Sequence, residues 1–259
     1  MSERRRYPSD LSDARWALVE RLLTSWRTEQ ARHGLNIGHP PRHDLRDILD
    51  AVLYVARTGI PWRYLPHDYP HWNTVYQYFG RWEKAGIFEQ LNGLLRRRVR
   101  EDEGRQPEPT AVVIDVQSVK TSTNVPAAEQ GADAGKKIVG RKRSIVIDTG
   151  GLLLTLLVTA ANVQDSVAGR TLLDRIAAAY PTIRKGWADR GYREYLVDHA
   201  ARLGIDLEIV RRTPARRGFS VLPRRLAVER TLGWLMHHRR LARDYEALPS
   251  RSIGMICVA

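Results

Sequence analysis

The 259-residue sequence predicts an α/β protein in two parts. Three observations predict it. Apolar residues recur at helical spacing through roughly the first hundred positions. "EDEGRQPEPT", 101–110, then interrupts the pattern with charge, glycine and two prolines. Beyond it, short runs of Val, Ile and Leu alternate with amphipathic stretches, as in a sheet with flanking helices. Two domains are therefore expected, 1–105 all-α and 106–259 α/β.

Composition narrows the class. Hydrophobic residues make up 43%, ordinary for a globular chain. Lys and Arg number 42 against 29 Asp and Glu, a net charge of +13. That surplus favours a polyanionic partner. The longest apolar run, "LLLTLLVTAA", is too short to span a bilayer, and "MSERRRYPSD" has no signal-peptide core. Cys257 is the only cysteine, which excludes an intramolecular disulfide and a cysteine-rich zinc site. The expectation is a cytoplasmic, nucleoid-associated protein that binds DNA and no membrane.

Each helix of the first part has its own signal. The spacing of Trp16, Val19, Leu22 and Leu23 predicts a helix over 9–26, with Ser and Asp available as caps. A second is predicted over 44–59, ending at Gly59 before Pro61. A third is predicted over 71–86, where Trp72, Val75, Phe79 and Trp82 form a buried stripe. Its other stripe holds Asn73, Gln77, Arg81 and Lys84. Asn and Gln can pair bidentately with adenine, and Arg and Lys suit guanine or phosphate. Two helices closely joined, the second with a polar face, suggest a helix-turn-helix-like reader of DNA. A solvated face on a small bundle would look the same. The basic cluster "RRRVR", 96–100, and the loop "GHPPRHD", 38–44, add positive charge.

In the second part "TAVVIDVQSV", 110–119, predicts a strand with Asp115 at its centre. A loop over 120–140 carries Lys136 and Lys137, and Arg141 and Lys142 follow it; all four are candidates for DNA phosphate. Two strands flank "DTGG" within 141–161, a hairpin whose turn takes Asp148. Helix 164–180 (capped by Asp165 or Ser166), strand 183–189, helix 192–204, strand 206–212 and helix 223–245 complete the order. This β-β-β-α-β-α-β-α sequence is that of a ribonuclease H-like domain, with a mixed five-stranded sheet.

That topology brings the first strand, the end of the fourth and the last helix together. Asp115, Asp189 and Glu229 occupy those places. Close carboxylates repel one another unless cations join them. Mg²⁺ prefers oxygen ligands, and two such ions about 3.5–4 Å apart serve in-line phosphodiester displacement. Asp115, Asp189 and Glu229 are thus the candidate catalytic and metal-binding residues, with Mn²⁺ expected to substitute for Mg²⁺. Each also has a plainer use: Asp189 as a turn former and Glu229 as a surface partner of Arg225. On the last helix Arg225, Glu229, Gly233, Met236 and Arg240 share one face; Arg225, Arg239 and Arg240 are candidates for phosphate contacts.

The motifs "TGIPWRYLPHDYPHWNTVYQYFGRWEKAG", "VIDVQSVKT", "WADRGY" and "VLPRRLAVERTLGWLMHHRRLARDYE" resemble, in order, those of insertion-sequence DDE transposases of the IS-five family. The resemblance covers nearly the whole chain. It implies a catalytic triad at Asp115, Asp189 and Glu229. It also implies binding of terminal inverted repeats by the helical part, Mg²⁺-dependent cleavage, strand transfer into target DNA and a homodimer on DNA. The wider signature Tyr-x2-Arg-x3-Glu-x6-Lys is kept at Arg225 and Glu229, with Leu222 in the Tyr place and Met236 in the Lys place. Arg190 stands where the family usually has a small residue. "RSIGMICVA" predicts the start of an apolar helix, and a truncated copy is one expectation. Two alternatives stay open: an inactive DNA-binding remnant or repressor, and a hydrolytic nuclease on the same fold.

Overall fold

The computed structural model describes residues 4–33, 43–210 and 223–259. Residues 38–42 of the basic loop, Leu222 and the side chain of Arg225 lie outside the described residues. Helix α1 (Asp13–His33) starts directly after Ser12, whose hydroxyl accepts from the Arg15 amide at 3.3 Å. It runs beyond the expected end at 26, because "RTEQARH" contains no glycine or proline to stop it. Helix α2 (Leu45–Thr58) is capped by Asp44, which accepts from the Arg46 amide. It stops at Gly59, whose φ of 76° few other residues tolerate. Helix α3 (Trp72–Lys84) buries Val75, Phe79 and Trp82, as their spacing predicts, while Trp72, the first member of the expected stripe, is only half-buried at the helix start.

The link from α2 to α3 is longer than the expected tight turn. It holds a 3₁₀ turn, Trp62–Tyr64, and buries Trp62 with its ring 5.3 Å from those of Tyr76 and Phe79. A compact helix-turn-helix uses about three or four residues there. Helix α4 (Ile87–Asp102) follows almost directly and buries Phe88 and Leu91.

The sheet starts with β1 (Ala111–Lys120) and adds β2 (Gly131–Asp133), β3 (Ile138–Asp148), β4 (Leu153–Ala160), β5 (Lys185–Ala188) and β6 (Asp206–Ile209). Its order is β4-β3-β1-β5-β6, with the short β2 also on β3. The expected five-stranded order is present, and β2 is an addition inside the segment read as loop. β1, β3 and β4 are antiparallel, while β1, β5 and β6 are parallel. Helices α5 (Asp165–Ala179) and α6 (Tyr195–Arg202) cover one face through Leu172, Leu173, Ile176 and Leu196.

The other face packs on α7 (Pro223–Met236), α8 (Pro249–Val258) and the helices of the first part. One apolar cluster runs from Leu23 and Trp82 through Met255 to Val113 and Ile145. Gly254 lets α8 approach closely: a Cβ there would stand 3.2 Å from Phe88 and 3.3 Å from Phe79. Helix α7 is shorter than the expected 223–245. Arg240 lies beyond its end and is buried, bonded to Glu246 at 2.8 Å and to the Ile60 carbonyl. It therefore does not share the helix face assigned to it.

Candidate functional site

The parallel pairing of β1 with β5 ends at Ile114 opposite Ala188. The next residues are Asp115 and Asp189, so both carboxylates stand at the same height on neighbouring strands, about 4.8 Å apart in backbone. Asp115 is half-buried and accepts from the Val116 amide at 2.7 Å. Asp189 is exposed and accepts from the Gly191 amide at 2.9 Å. Asp115 has the parity of Val113, which shares a cluster with Ala227 and Val228 of α7. Asp115 and the exposed Glu229 are thus on one side of the sheet. Among the described residues no three His, Cys, Asp or Glu side chains come close enough to hold a metal together. Strand register makes Asp115 and Asp189 neighbours, and Glu229 follows Val228 of α7 on the same side of the sheet. The two paired carboxylates suit Mg²⁺, which needs only one or two beside water and phosphate.

A third acidic residue lies beside this pair. Asp165 was expected as a helix cap, but the cap position of α5 is Gln164. Asp165 instead pairs with Lys142 at 2.8 Å and shares the surroundings of Asp189. Tyr192 completes the group; burial, then Asp115, Asp165 and Asp189, hold its phenol well above the usual range. The sequence signal for both residues was topological: Asp165 follows the strand next to β3, and Tyr192 follows Asp189 by three positions.

Of the residues assigned to DNA, Asn73, Gln77, Arg81 and Lys84 are all exposed on α3. Lys136, Lys137 and Arg239 are exposed too, with Lys136 also donating to the Val116 carbonyl. Arg141 and Lys142 are placed otherwise. Arg141 is fully buried and donates to the carbonyls of Glu129, Glu246 and Ala247. Lys142 is buried against Asp165 and the Val163 carbonyl. Neither presents a free face to a phosphate: successive side chains of β3 point to opposite faces of the sheet, and at these two positions each face is covered, by 246–247 over Arg141 and by 163–165 over Lys142. The 96–100 cluster divides as well. Arg97 and Arg98 are exposed, whereas Arg96 and Arg100 are buried and tie α4 to the sheet.

The strand order and the acidic pair define a ribonuclease H-like domain. Two family models cover the chain: "Putative transposase of IS4/5 family" over residues 11–92 and "Transposase DDE domain" over 106–259. The chain belongs to the DDE transposase family of insertion sequences. It is 36% identical over 115 residues to a "Putative transposase for insertion sequence element IS402" of Burkholderia cepacia, covering 41% of this chain and 54% of that protein. It is 30% identical over 92 residues to an "Insertion element IS402 uncharacterized 16.2 kDa protein" of the same organism, covering 35% and 60%. "Uncharacterized protein y4sN" of Sinorhizobium fredii (strain NBRC 101917 / NGR234) is 35% identical over 57 residues, covering 22% and 46%. The matches thus span about half the length of these curated relatives. No solved structure matches. DDE transposases generally use a divalent metal ion. Among the described residues no helix is long and apolar enough to cross a membrane.

Proposed function

We propose that this chain is the transposase of an insertion element, acting on DNA at the bacterial nucleoid in the cytoplasm. It binds the terminal inverted repeats, cleaves phosphodiesters at the element's ends and joins them to target DNA. The observation that carries this is the register of Asp115 with Asp189 at the ends of adjacent parallel strands, in a chain of the DDE family. Asp115, Asp189 and Glu229 hold the divalent cations. Mg²⁺, or Mn²⁺ in its place, supplies charge neutralisation and a lowered pKa for bound water or hydroxyl.

Residues 1–105 form the DNA-binding domain and 106–259 the catalytic one. Asn73, Gln77, Arg81 and Lys84 on α3 meet DNA, and Lys136, Lys137, Arg225 and Arg239 contact phosphates. Two ends must be held together, so the working form is a homodimer on double-stranded DNA. A second reading, a DNA-binding remnant without catalysis, shares the exposed polar face of α3 and the net charge of +13.

The test is Mn²⁺-dependent cleavage of DNA carrying the gene's own flanks, wild type against Asp189→Asn. Cleavage at a flank boundary, lost in the variant, supports the transposase. Specific binding to the flanks without cleavage supports the remnant.

A further inference from the structure

Asp165 is the first residue of α5, yet it makes no cap. One oxygen pairs with the Lys142 ammonium at 2.8 Å, which also donates to the Val163 carbonyl at 2.8 Å. Its other oxygen and an oxygen of Asp189 both lie beside Gly191. A Cβ on Gly191 would stand 3.0 Å from Asp165 Oδ2 and 3.0 Å from Asp189 Oδ1. A side chain at 191 would therefore press on both carboxylates, and glycine leaves the space between them clear.

A separate observation points into this space. Tyr192 is 3% exposed, and its hydroxyl is buried with no hydrogen bond. Leaving a buried hydroxyl unsatisfied is unfavourable unless something meets it. The charges acting on that hydroxyl are those of Asp115, Asp165 and Asp189, so its environment is the acidic group.

We propose that Asp165 is a working member of the cation site of Asp115 and Asp189, with Lys142 as its counter-charge and the unpartnered Tyr192 hydroxyl as a donor open to cation-bound water. This rests on the cation-site reading given above. Asp165 acts through its charge and through cation-bound water, since the described carboxylates do not close as three direct ligands. Mg²⁺ and Mn²⁺ sites commonly retain such water. Groups that orient ligands from outside typically change metal affinity by about 10–100-fold. Lys142 opposes the cation, because it neutralises the carboxylate the cation would feel.

The two members of the ion pair therefore give opposite effects, which a merely structural ion pair would not. The experiment is calorimetric titration of the full chain with Mn²⁺ in the absence of DNA, with the metal-free melting temperature read alongside. Asp165→Asn is expected to weaken Mn²⁺ binding about tenfold. Lys142→Met is expected to tighten it, and Tyr192→Phe, which keeps the ring packing, to weaken it. Asp189→Asn is expected to abolish it. Wild-type affinity in Asp165→Asn, with binding lost in Asp189→Asn, would overturn this inference alone. Equal weakening in Asp165→Asn and Lys142→Met, matched by equal loss of melting temperature, would also overturn it. Wild-type affinity in Asp189→Asn would overturn the cation-site reading itself.

Discussion

Asp148 shows how one buried carboxylate can be fully used without any chemistry. It is 0% exposed and sits at the hairpin between β3 and β4, where it accepts from the amides of Gly150 and Leu152 at 2.8 and 2.9 Å. Arg100 and Arg105 pair with it from α4 and from the segment that follows. Arg141 plays the reverse part, a buried cation spent on three carbonyls and on Asp244 at 3.3 Å. Arg141→Ala is expected to destabilise the fold by about 3–5 kcal/mol, because Asp244 loses a charge partner inside the protein. Urea denaturation checks this, and a loss under about 1 kcal/mol would refute it.

Asp50 makes a pH prediction at the same scale. Burial pushes its pKa up to about 6, against the Leu11 amide that bonds it and with Asp10 adding to the rise. A carboxyl raised on folding binds its proton more tightly in the folded state. Its contribution is full below the unfolded value of 3.8 and is lost as pH rises through about 6. Asp50→Asn should flatten stability against pH across that window. Melting curves at several pH values measure it, and an unchanged slope would refute the assignment.

At the scale of the element, α3 and α4 make opposite use of polar residues. The polar stripe of α3 faces solvent, as its period predicted. Gln77→Ala is expected to weaken binding to the element's own ends more than to random DNA, because a base-edge contact carries sequence information and a phosphate contact does not. Gel-shift titrations on both DNAs decide it; equal losses would return that face to simple solvation. On α4 two of the four arginines, four residues apart, turn inward: Arg96 lies 4.8 Å over the Tyr180 ring and Arg100 meets Asp148. A run of arginines reads as a DNA patch in one dimension. Only the position of the sheet beneath shows which guanidiniums are spent on it.

Across the whole molecule, the helical part and one sheet face share a single apolar cluster, with α8 between them. Asp115→Asn, Asp189→Asn and Glu229→Gln are expected to abolish cleavage while DNA binding survives, since α3 lies on another part of that body. Full cleavage by any one of them would remove that residue from the triad. Mn²⁺ at millimolar concentration should raise the melting temperature of wild type by binding the folded state preferentially. Asp189→Asn should lose most of that shift, and a wild-type shift in the variant would refute its role.

The sequence by itself determined what local rules control. The stop of α2 at Gly59, the apolar stripe of α3 and the "DTGG" turn follow from propensity and periodicity. The neighbouring places of Asp115 and Asp189 were expected from the ribonuclease H-like order of elements, and the parallel pairing of β1 with β5 sets their register. Tertiary structure alone decided which charges face inward. Arg141, Lys142, Arg96 and Arg100 carry the same charge as Arg81 and Lys84, and nothing in their immediate neighbours marks them as buried. The early end of α7 at Met236 belongs there too, since Arg240 leaves the helical path to meet Glu246 and Ile60. Asp165 and Tyr192 joined the acidic pair for the same reason: their approach depends on how α5 and the chain after β5 pack on the sheet, and long-range packing has no period to read.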